Sequence, residues 1–416
     1  MSIYKYPIKY ICGSGAQVFP PDVFERKIKY FDDLIKFKAP ITGETGIDGL
    51  LIDFNYGLRL QMPEGNWHVR ITDAASDYEF LNEDISAVTL ISIEKYLIEW
   101  EIAVWLDGEP VFYHQFDPRG QNVHFYFTKA TLGDNLTLLI YVEEFRRQFD
   151  CQVSCQINEV FHGIMKQYYP DVRLEPSLPA DSYACYFMTM PINLPFVAIE
   201  DGLLIPLRRL GHAILRRIET PPKKIFTPTK PRAIEQKYVC IGVQASSPPK
   251  CWLNPGGWDH VVDYLKSLGY RVLCIDRDRK CSKFGMTIKM PRGSEDFSGS
   301  YNLIDRINQL AYADFFIGLS SGLSWLAWSV DIPVVMISGI TARWYEFDNP
   351  YRINNPLVCH GCFNECRNLN LVLSCPLFKD TERAFECSKK ISARQVINAI
   401  DQLIADRKLE AHNGRL

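Results

Sequence analysis

The 416-residue sequence carries little net charge: −3, from 46 Lys and Arg against 49 Asp and Glu. That balance argues against a nucleic-acid binder, which needs a basic surplus. A long hydrophobic run is also missing. The longest uncharged apolar stretch, Phe315 to Val330, is broken by four serines and two glycines, and it is too short to span a bilayer comfortably. The opening residues, MSIYKYPIKYICGSG, lack the apolar core and small-residue cleavage site of an export signal. These absences together set the expectation of a soluble, cytoplasmic protein. Cysteine, in contrast, is plentiful at thirteen. Without export, disulfides are not expected, and metal binding gains weight. Eight of the cysteines are scattered, mostly in strand-like runs such as YVCIGV and RVLCID, where a thiol behaves as a small buried hydrophobe. The other five crowd between Cys359 and Cys387.

Residues 1–45 mix Lys, Pro and Tyr and read as an N-terminal extension, with a short helix expected near Asp22–Phe37. Over 46–121, runs such as LLIDFNYGLRLQM and WHVRITD, punctuated by glycines, predict a small all-β domain of hairpins. One turn is expected at Asp107-Gly108. From 122 the period changes. VHFYF, CQVSCQI and ACYFMTM read as strands, and helices are expected from about Gly133, over NEVFHGIMKQYY, and at 206–218. Strands alternating with helices imply a parallel sheet covered on both faces, which defines a lobe over 122–219. Residues 220–236, rich in proline and basic side chains, have a linker composition. A second alternating unit fills 237–416. Its strands are expected at 238–244, 270–276, 314–319 and 333–338, and its helices at 256–268, 300–312 and 322–329. The fold class is therefore α/β: two Rossmann-like lobes after a small β-domain, with a ligand cleft between them.

Four places can carry chemistry. Ser320-Ser321-Gly322 lies between a strand and a helix, where free N–H groups and the helix dipole favour an anion; the same serines also suit a plain N-cap. Lys250 is the only cation in the loop QASSPPKCWLNPGGW. That loop leaves the strand end where open α/β sheets bind ligands, so Lys250 reads either as a phosphate partner or as a solvated surface lysine. Gly133-Asp134 follows the first strand of the first lobe. Its carboxylate can cap a helix or serve as a general base facing the cleft. Finally, Cys359 and Cys362 form a CxxC knuckle, followed by Cys366, Cys375 and Cys387. Four thiolates make a closed tetrahedral site for zinc or iron, structural rather than catalytic.

At these motifs the sequence resembles a known family. FFIGLSSGLSWLAWSVDIPVVMISG is similar to the second lobe of the GT-B heptosyltransferases that build lipopolysaccharide inner core, and Leu132-Gly133-Asp134 matches their first-lobe turn. The leading β-domain, the TLGD turn and the tail VCHGCFNEC…SCPLFKDTERAFECSKKI resemble the bacterial autotransporter heptosyltransferases more closely, over residues 45–404. The resemblance implies an inverting transfer of heptose from ADP-heptose to serine hydroxyls of an autotransporter adhesin passenger. It implies Asp134 as general base, Lys250 with Ser320, Ser321 and Gly322 on the diphosphate, and an iron finger of Cys359, Cys362, Cys375 and Cys387. It also implies a homo-oligomer of up to twelve subunits. The sequence departs from the family in the short spacing from Cys362 to Cys375, in the extra Cys366, and in lacking a histidine after Pro376.

Asp276, at the end of a second-lobe strand, is expected either to meet the ribose or to be a surface loop carboxylate. No DxD-type motif lies near the cleft, so no catalytic divalent metal is expected. Three rival readings stay open. One is a GT-B transferase using another nucleotide-sugar or a saccharide acceptor. Another is a zinc-ribbon-type binding protein. The third is a redox enzyme using CHGC as a dithiol, although that motif lies in a loop rather than at the strand-to-helix junction such an enzyme needs.

Overall fold

The computed structural model describes all residues except 1–3, 12–15, 18–39, 56, 93–97, 128–130, 189–222, 284–285, 365–374, 376 and 414–416. The helices expected near Asp22–Phe37 and over 206–218 lie outside the described residues, as does Cys366.

The N-terminal region supplies β1 (Ile8–Ile11), β2 (Ala16–Gln17), β3 (Leu51–Asn55), β4 (Arg59–Met62), β5 (Trp67–Asp73), β6 (Tyr78–Ile85), β7 (Val88–Ser92), β8 (Trp100–Leu106) and β9 (Glu109–Gln115). The turn at Asp107-Gly108 forms as expected. Both residues take positive φ, 51° and 88°, and Leu106 pairs with Glu109, which gives the twist a two-residue hairpin requires. The strands of this region divide between two sheets. β6-β5-β8-β9 is an antiparallel sheet of its own, whereas β3, β4, β7 and β1 continue the sheet of the lobe that follows.

That lobe contains β10 (Asn122–Phe127), α1 (Leu132–Phe149), β11 (Gln152–Gln156), α2 (His162–Tyr168), β12 (Val172–Leu174) and β13 (Ala184–Met188). Its parallel core runs β12-β11-β10-β13, and β13 pairs in parallel with β3, with Ala184 opposite Phe54. Helix α1 forms where the sequence supplies both ends. Thr131 is the N-cap, Asp134 sits in the first turn, Arg146 and Arg147 sit in the last, and Asp150 closes it in the left-handed conformation. Acidic residues at the start and basic ones at the end complement the helix dipole.

The second lobe contains β14 (Tyr238–Ile241), α3 (Gly257–Ser267), β15 (Arg271–Cys274), the hairpin β16 (Lys280–Lys283) and β17 (Met286–Lys289), β18 (Glu295–Asp296), α4 (Leu303–Ala311), β19 (Phe316–Leu319), α5 (Gly322–Ser329), β20 (Val334–Ile337), β21 (Arg352–Ile353), α6 (Glu386–Lys389) and α7 (Ala393–Asn413). Its six-stranded sheet is parallel throughout, in the order β18-β15-β14-β19-β20-β21. This is the doubly wound order, which reverses direction between β14 and β19. Ligands of such sheets bind at that switch point, outside the carboxyl ends of the strands.

The lobes meet along α1 and α5. The segment joining them is docked in this seam: Phe226 N–H donates to Ser329 O at 2.8 Å, Tyr168 Oη to Thr227 O at 2.6 Å, and Lys224 pairs with Glu143 at 2.7 Å. One apolar core runs through both sides of the seam, from Leu136 and Ile140 to Trp325 and Phe347. No helix among the described residues is long and apolar enough to cross a membrane.

Candidate active site between two helix N-termini

Helix α1 begins just past the carboxyl end of β10, and α5 begins just past the carboxyl end of β19. Glycines let the two starts touch. A Cβ on Gly322 would lie 2.5 Å from Leu132 Cβ and 3.1 Å from Gly133 N, and one on Gly133 would lie 2.8 Å from Trp325 Cδ1. Gly242, in the loop after β14, is pressed against Phe316 and Leu323 in the same way. Two helix N-termini therefore converge at the second lobe's switch point.

Asp134 of the first lobe and Lys250 of the second feel each other's charge here. Asp134 is half-buried, and its Oδ2 accepts from Thr131 N at 3.1 Å and Thr131 Oγ1 at 2.8 Å. Burial raises its pKa above the ordinary carboxylate value, while the Thr131 bonds and the Lys250 charge pull against that rise. Such a carboxylate is a stronger base than a solvated one. Lys250 sits midway along the loop after β14, in the short turn Pro248–Lys250, with its ammonium 4.4 Å from the centre of the Phe363 ring. Burial lowers its pKa, and Asp134 and Glu346 oppose this.

Ser320 is buried, and Ser321 is the N-cap of α5. The Ser324 hydroxyl is not offered to the cleft, because it donates to Leu319 O at 2.5 Å. Asp276 is not the surface loop carboxylate expected, nor does it face outward as a ribose contact would. It is 1% exposed and its two oxygens accept from Val243 N at 2.9 Å and Gln244 N at 3.2 Å. Its carboxyl, raised by burial to about 6, shapes the turn that carries Lys250's loop and does not reach outward.

Three residues of this site had no motif to announce them. Glu346 follows β20 and forms a buried pair with Arg352, and it accepts from Ser338 Oγ at 2.7 Å. Tyr345 stacks edge-on against Phe363 at 5.9 Å, and its phenol pKa is raised by burial and by the nearby Asp134. Phe363 belongs to the cysteine knuckle. The rule that ligand loops follow the carboxyl ends of strands is the one signal that could have drawn attention to 339–347.

The knuckle itself is anchored to that loop. Gly361 takes a φ of 76° and donates to Gly339 O at 3.1 Å, and Phe363 N–H donates to Ile340 O at 2.8 Å. Gly339 leaves no room for a Cβ, with Cys387 O 2.8 Å away. Cys362, Cys375 and Cys387 are buried and Cys359 is half-buried. The Cys387 thiol is pushed up to about 12 by burial and by the charges of Cys362, Cys359 and Cys375, so the four lie in one neighbourhood. Among the described residues, no three side chains are drawn into a ready ligating shell. The donor set nonetheless suits a thiolate-bound iron or zinc ion in its chemistry.

Paired Rossmann-type lobes that bring a carboxylate and a helix start to one seam are the build of a GT-B-like glycosyltransferase. Comparison with known proteins narrows this class. The family model for the N-terminal domain of glycosyltransferase TibC matches residues 46–108, and that for glycosyltransferase family 9 (heptosyltransferase) matches residues 218–361. The chain is 35% identical over 384 residues to autotransporter heptosyltransferase TibC of Escherichia coli, covering 88% of this chain and 94% of the relative. It is 37% identical over 381 residues to an autotransporter heptosyltransferase of Citrobacter rodentium, covering 88% and 91%. It is also 30% identical over 379 residues to BimC of Burkholderia thailandensis, called an inactive autotransporter heptosyltransferase, covering 86% of each. The crystal structure of TibC, described as an iron-containing dodecameric glycosyltransferase, superposes with a TM-score of 0.80 at 34% identity, covering 88% of this chain and 99% of that one. A second TibC structure, in complex with ADP-D-beta-D-heptose, matches equally. The chain belongs to the autotransporter heptosyltransferase family.

Proposed function

We propose that this chain is an inverting protein O-heptosyltransferase that moves heptose from ADP-heptose onto serine hydroxyls of an autotransporter adhesin in the cytoplasm. The observation that carries the proposal is the contact of Gly322 with Leu132 and Gly133, which brings Asp134 of one lobe and Lys250 of the other to the same seam. The diphosphate lies against the Ser320-Ser321-Gly322 turn and Lys250, where helix N–H groups and the ammonium stabilise the charge that develops on it. A serine Oγ attacks the anomeric carbon and forms the new C–O bond. The bond from that carbon to the β-phosphate oxygen breaks, and its electron pair leaves with ADP. The serine proton goes to Asp134.

Cys359, Cys362, Cys375 and Cys387 would hold one iron ion as four thiolates, as the iron-containing relative encourages. Such an ion would cross-link the knuckle to α6, and no step of the transfer runs through it. The dodecameric state of that relative supports a homo-oligomer of the same size here.

The test is incubation of the purified protein with ADP-heptose and a candidate passenger, followed by intact mass measurement. A gain of one or more heptose residues is expected. No gain with ADP-heptose, or a gain with ADP-glucose or a UDP-sugar in its place, rejects the assignment. Asp134→Asn should lose on the order of 10²–10⁴-fold in turnover while still binding ADP in calorimetry.

A further inference from the structure

The carboxylate of Asp134 does two things, and they fall on different oxygens. Both hydrogen bonds from Thr131, one from its backbone N–H and one from its hydroxyl, end on Oδ2. Among the described residues none donates to Oδ1. Thr131 is itself held firmly. It is the N-cap of α1, in extended backbone conformation, and its carbonyl accepts from Asn135 N and Asn135 Nδ2, each at 3.2 Å. The pair has the arrangement of a capping box. The hydroxyl's one proton is directed at the carboxylate.

We infer that Thr131 is a positioning residue for sugar transfer: by clamping Oδ2 of Asp134 it leaves Oδ1 as the atom that takes the acceptor's proton. This rests on the reading of Asp134 as the general base. A free carboxylate rotates and presents either oxygen in many orientations. One held at Oδ2 presents Oδ1 in a single direction, which is what a near-attack geometry needs. The clamp also tunes basicity, because hydrogen bonds to the charged form favour it. The other groups that bear on Asp134 come from elsewhere: Lys250 from the loop after β14, and Tyr345 from the loop after β20, with Glu346 acting on Lys250. Helix α5, packed against α1, brings the uncharged GLSWLAWS and adds no titratable side chain.

The experiment compares Thr131→Val, Thr131→Ser and Asp134→Asn with the parent enzyme, measuring kcat and donor KM from pH 4.5 to 8.5 and thermal stability in parallel. Valine keeps the branched shape and removes the hydroxyl. Its kcat should fall roughly ten-fold, the effect of one lost hydrogen bond to a charged group, with donor KM unchanged. The acid limb of its pH–kcat profile should move to higher pH, since the bond that lowers the Asp134 pKa is gone. Serine should restore both. If valine fails to fold, Thr131→Gly is read instead, since glycine is a good N-cap without a hydroxyl. A hydroxyl-free variant with lowered Tm but an unmoved pH profile and kcat would show a cap and nothing more, which overturns the inference. Normal turnover by Asp134→Asn overturns the base assignment and the inference together, whereas an inert Asp134→Asn beside an unaltered Thr131→Val overturns the inference alone.

Discussion

Replacing Gly322 with alanine tests the seam directly. The new methyl would sit 2.5 Å from Leu132 Cβ, 2.9 Å from Leu132 Cγ and 3.1 Å from Gly133 N. Carbon atoms prefer about 3.5–4.0 Å, so the shortfall is roughly 1 Å. Little of it can be relieved by a rotamer change, because Leu132 Cβ and Gly133 N are attached directly to the first turn of α1. The two helix starts must therefore separate. Overpacking of this kind costs about 1–3 kcal/mol of stability, which lowers Tm by a few degrees in a protein of this size. The larger effect falls on turnover. A displacement near 1 Å between a base and its substrate can cost about 10²-fold, and Asp134 lies one residue beyond the point of contact. Heptose transfer by Gly322→Ala, followed by mass gain on the passenger, should thus drop by about two orders of magnitude. ADP affinity, measured by calorimetry, should fall far less. Gly133→Ala, which would press on Trp325 Cδ1 at 2.8 Å, should act on the same gap, so the double variant should lose less than the product of the two single losses. Wild-type turnover in a well-folded Gly322→Ala would refute the argument that this contact sets the catalytic geometry.

Three further outcomes are expected. Lys250→Met should weaken ADP binding by roughly ten-fold or more, as befits a lost charge-assisted bond, with little change in Tm, because burial already disfavours the lysine's charge; unchanged ADP affinity in calorimetry would remove Lys250 from the site. Cys387→Ser should abolish bound iron in elemental analysis and lower Tm, whereas Cys151→Ser should leave the metal content intact; equal iron in both would separate Cys387 from the finger. Stability should also fall in mild acid because of His124, which is fully buried in β10 with Nδ1 2.8 Å from Ser154 Oγ. Burial, aided by the Arg173 charge, lowers its pKa from 6.5 to about 4. Between those values the unfolded chain binds the proton and the folded one does not, so this contribution is intact above pH 6.5, declines below it and levels off under pH 4, by up to about 3 kcal/mol. Chemical denaturation of His124→Leu across that range should show a shallower loss than the parent, and parallel curves would rule out this histidine.

The second lobe was legible because its signals are local. Each buried strand is a short apolar run and each helix begins at a small or capping residue, so β14, β15, β19, β20 and the helices between them fall within a few residues of expectation. The Asp107-Gly108 turn was readable for the same reason. Pairing between distant strands was not. β3 looks like part of a hairpin, and it is, but its other edge joins β13 some 130 positions later, and no periodicity in one strand names its neighbour. The long C-terminal helix α7 lies outside the expected elements, although its contact with the lobe is specific: Tyr351 Oη donates to Asp406 Oδ2 at 3.0 Å. Asp276 shows the limit on the chemical side. A carboxylate at a strand's carboxyl end has the right address for a ribose, and only the coordinates reveal that its oxygens are already taken by Val243 and Gln244. Glu346 is the converse case, a charged group in the seam that sits in GITARWYEF with nothing in the spacing to mark it.

Family membership does not by itself make this chain a catalyst, since one relative at 30% identity is called inactive. The case for activity therefore has to rest on the seam. A chain that had kept only the scaffold would be free to lose the tight glycine at 322, to pair its cleft lysine with a surface carboxylate, or to let Asp134 relax into solvent. None of these has happened here. Gly322 still meets Leu132 without room for a methyl, Lys250 remains over the Phe363 ring between Asp134 and Glu346, and Asp134 keeps one oxygen bound and one unbound among the described residues. Holding a half-buried lysine and a half-buried carboxylate near one another, without a close pair between them, costs folding free energy. Such an arrangement persists where strain serves a ligand. A diphosphate that draws Lys250 to itself would relieve the lysine and, by withdrawing its charge from Asp134, leave the carboxylate more basic at the moment the acceptor arrives.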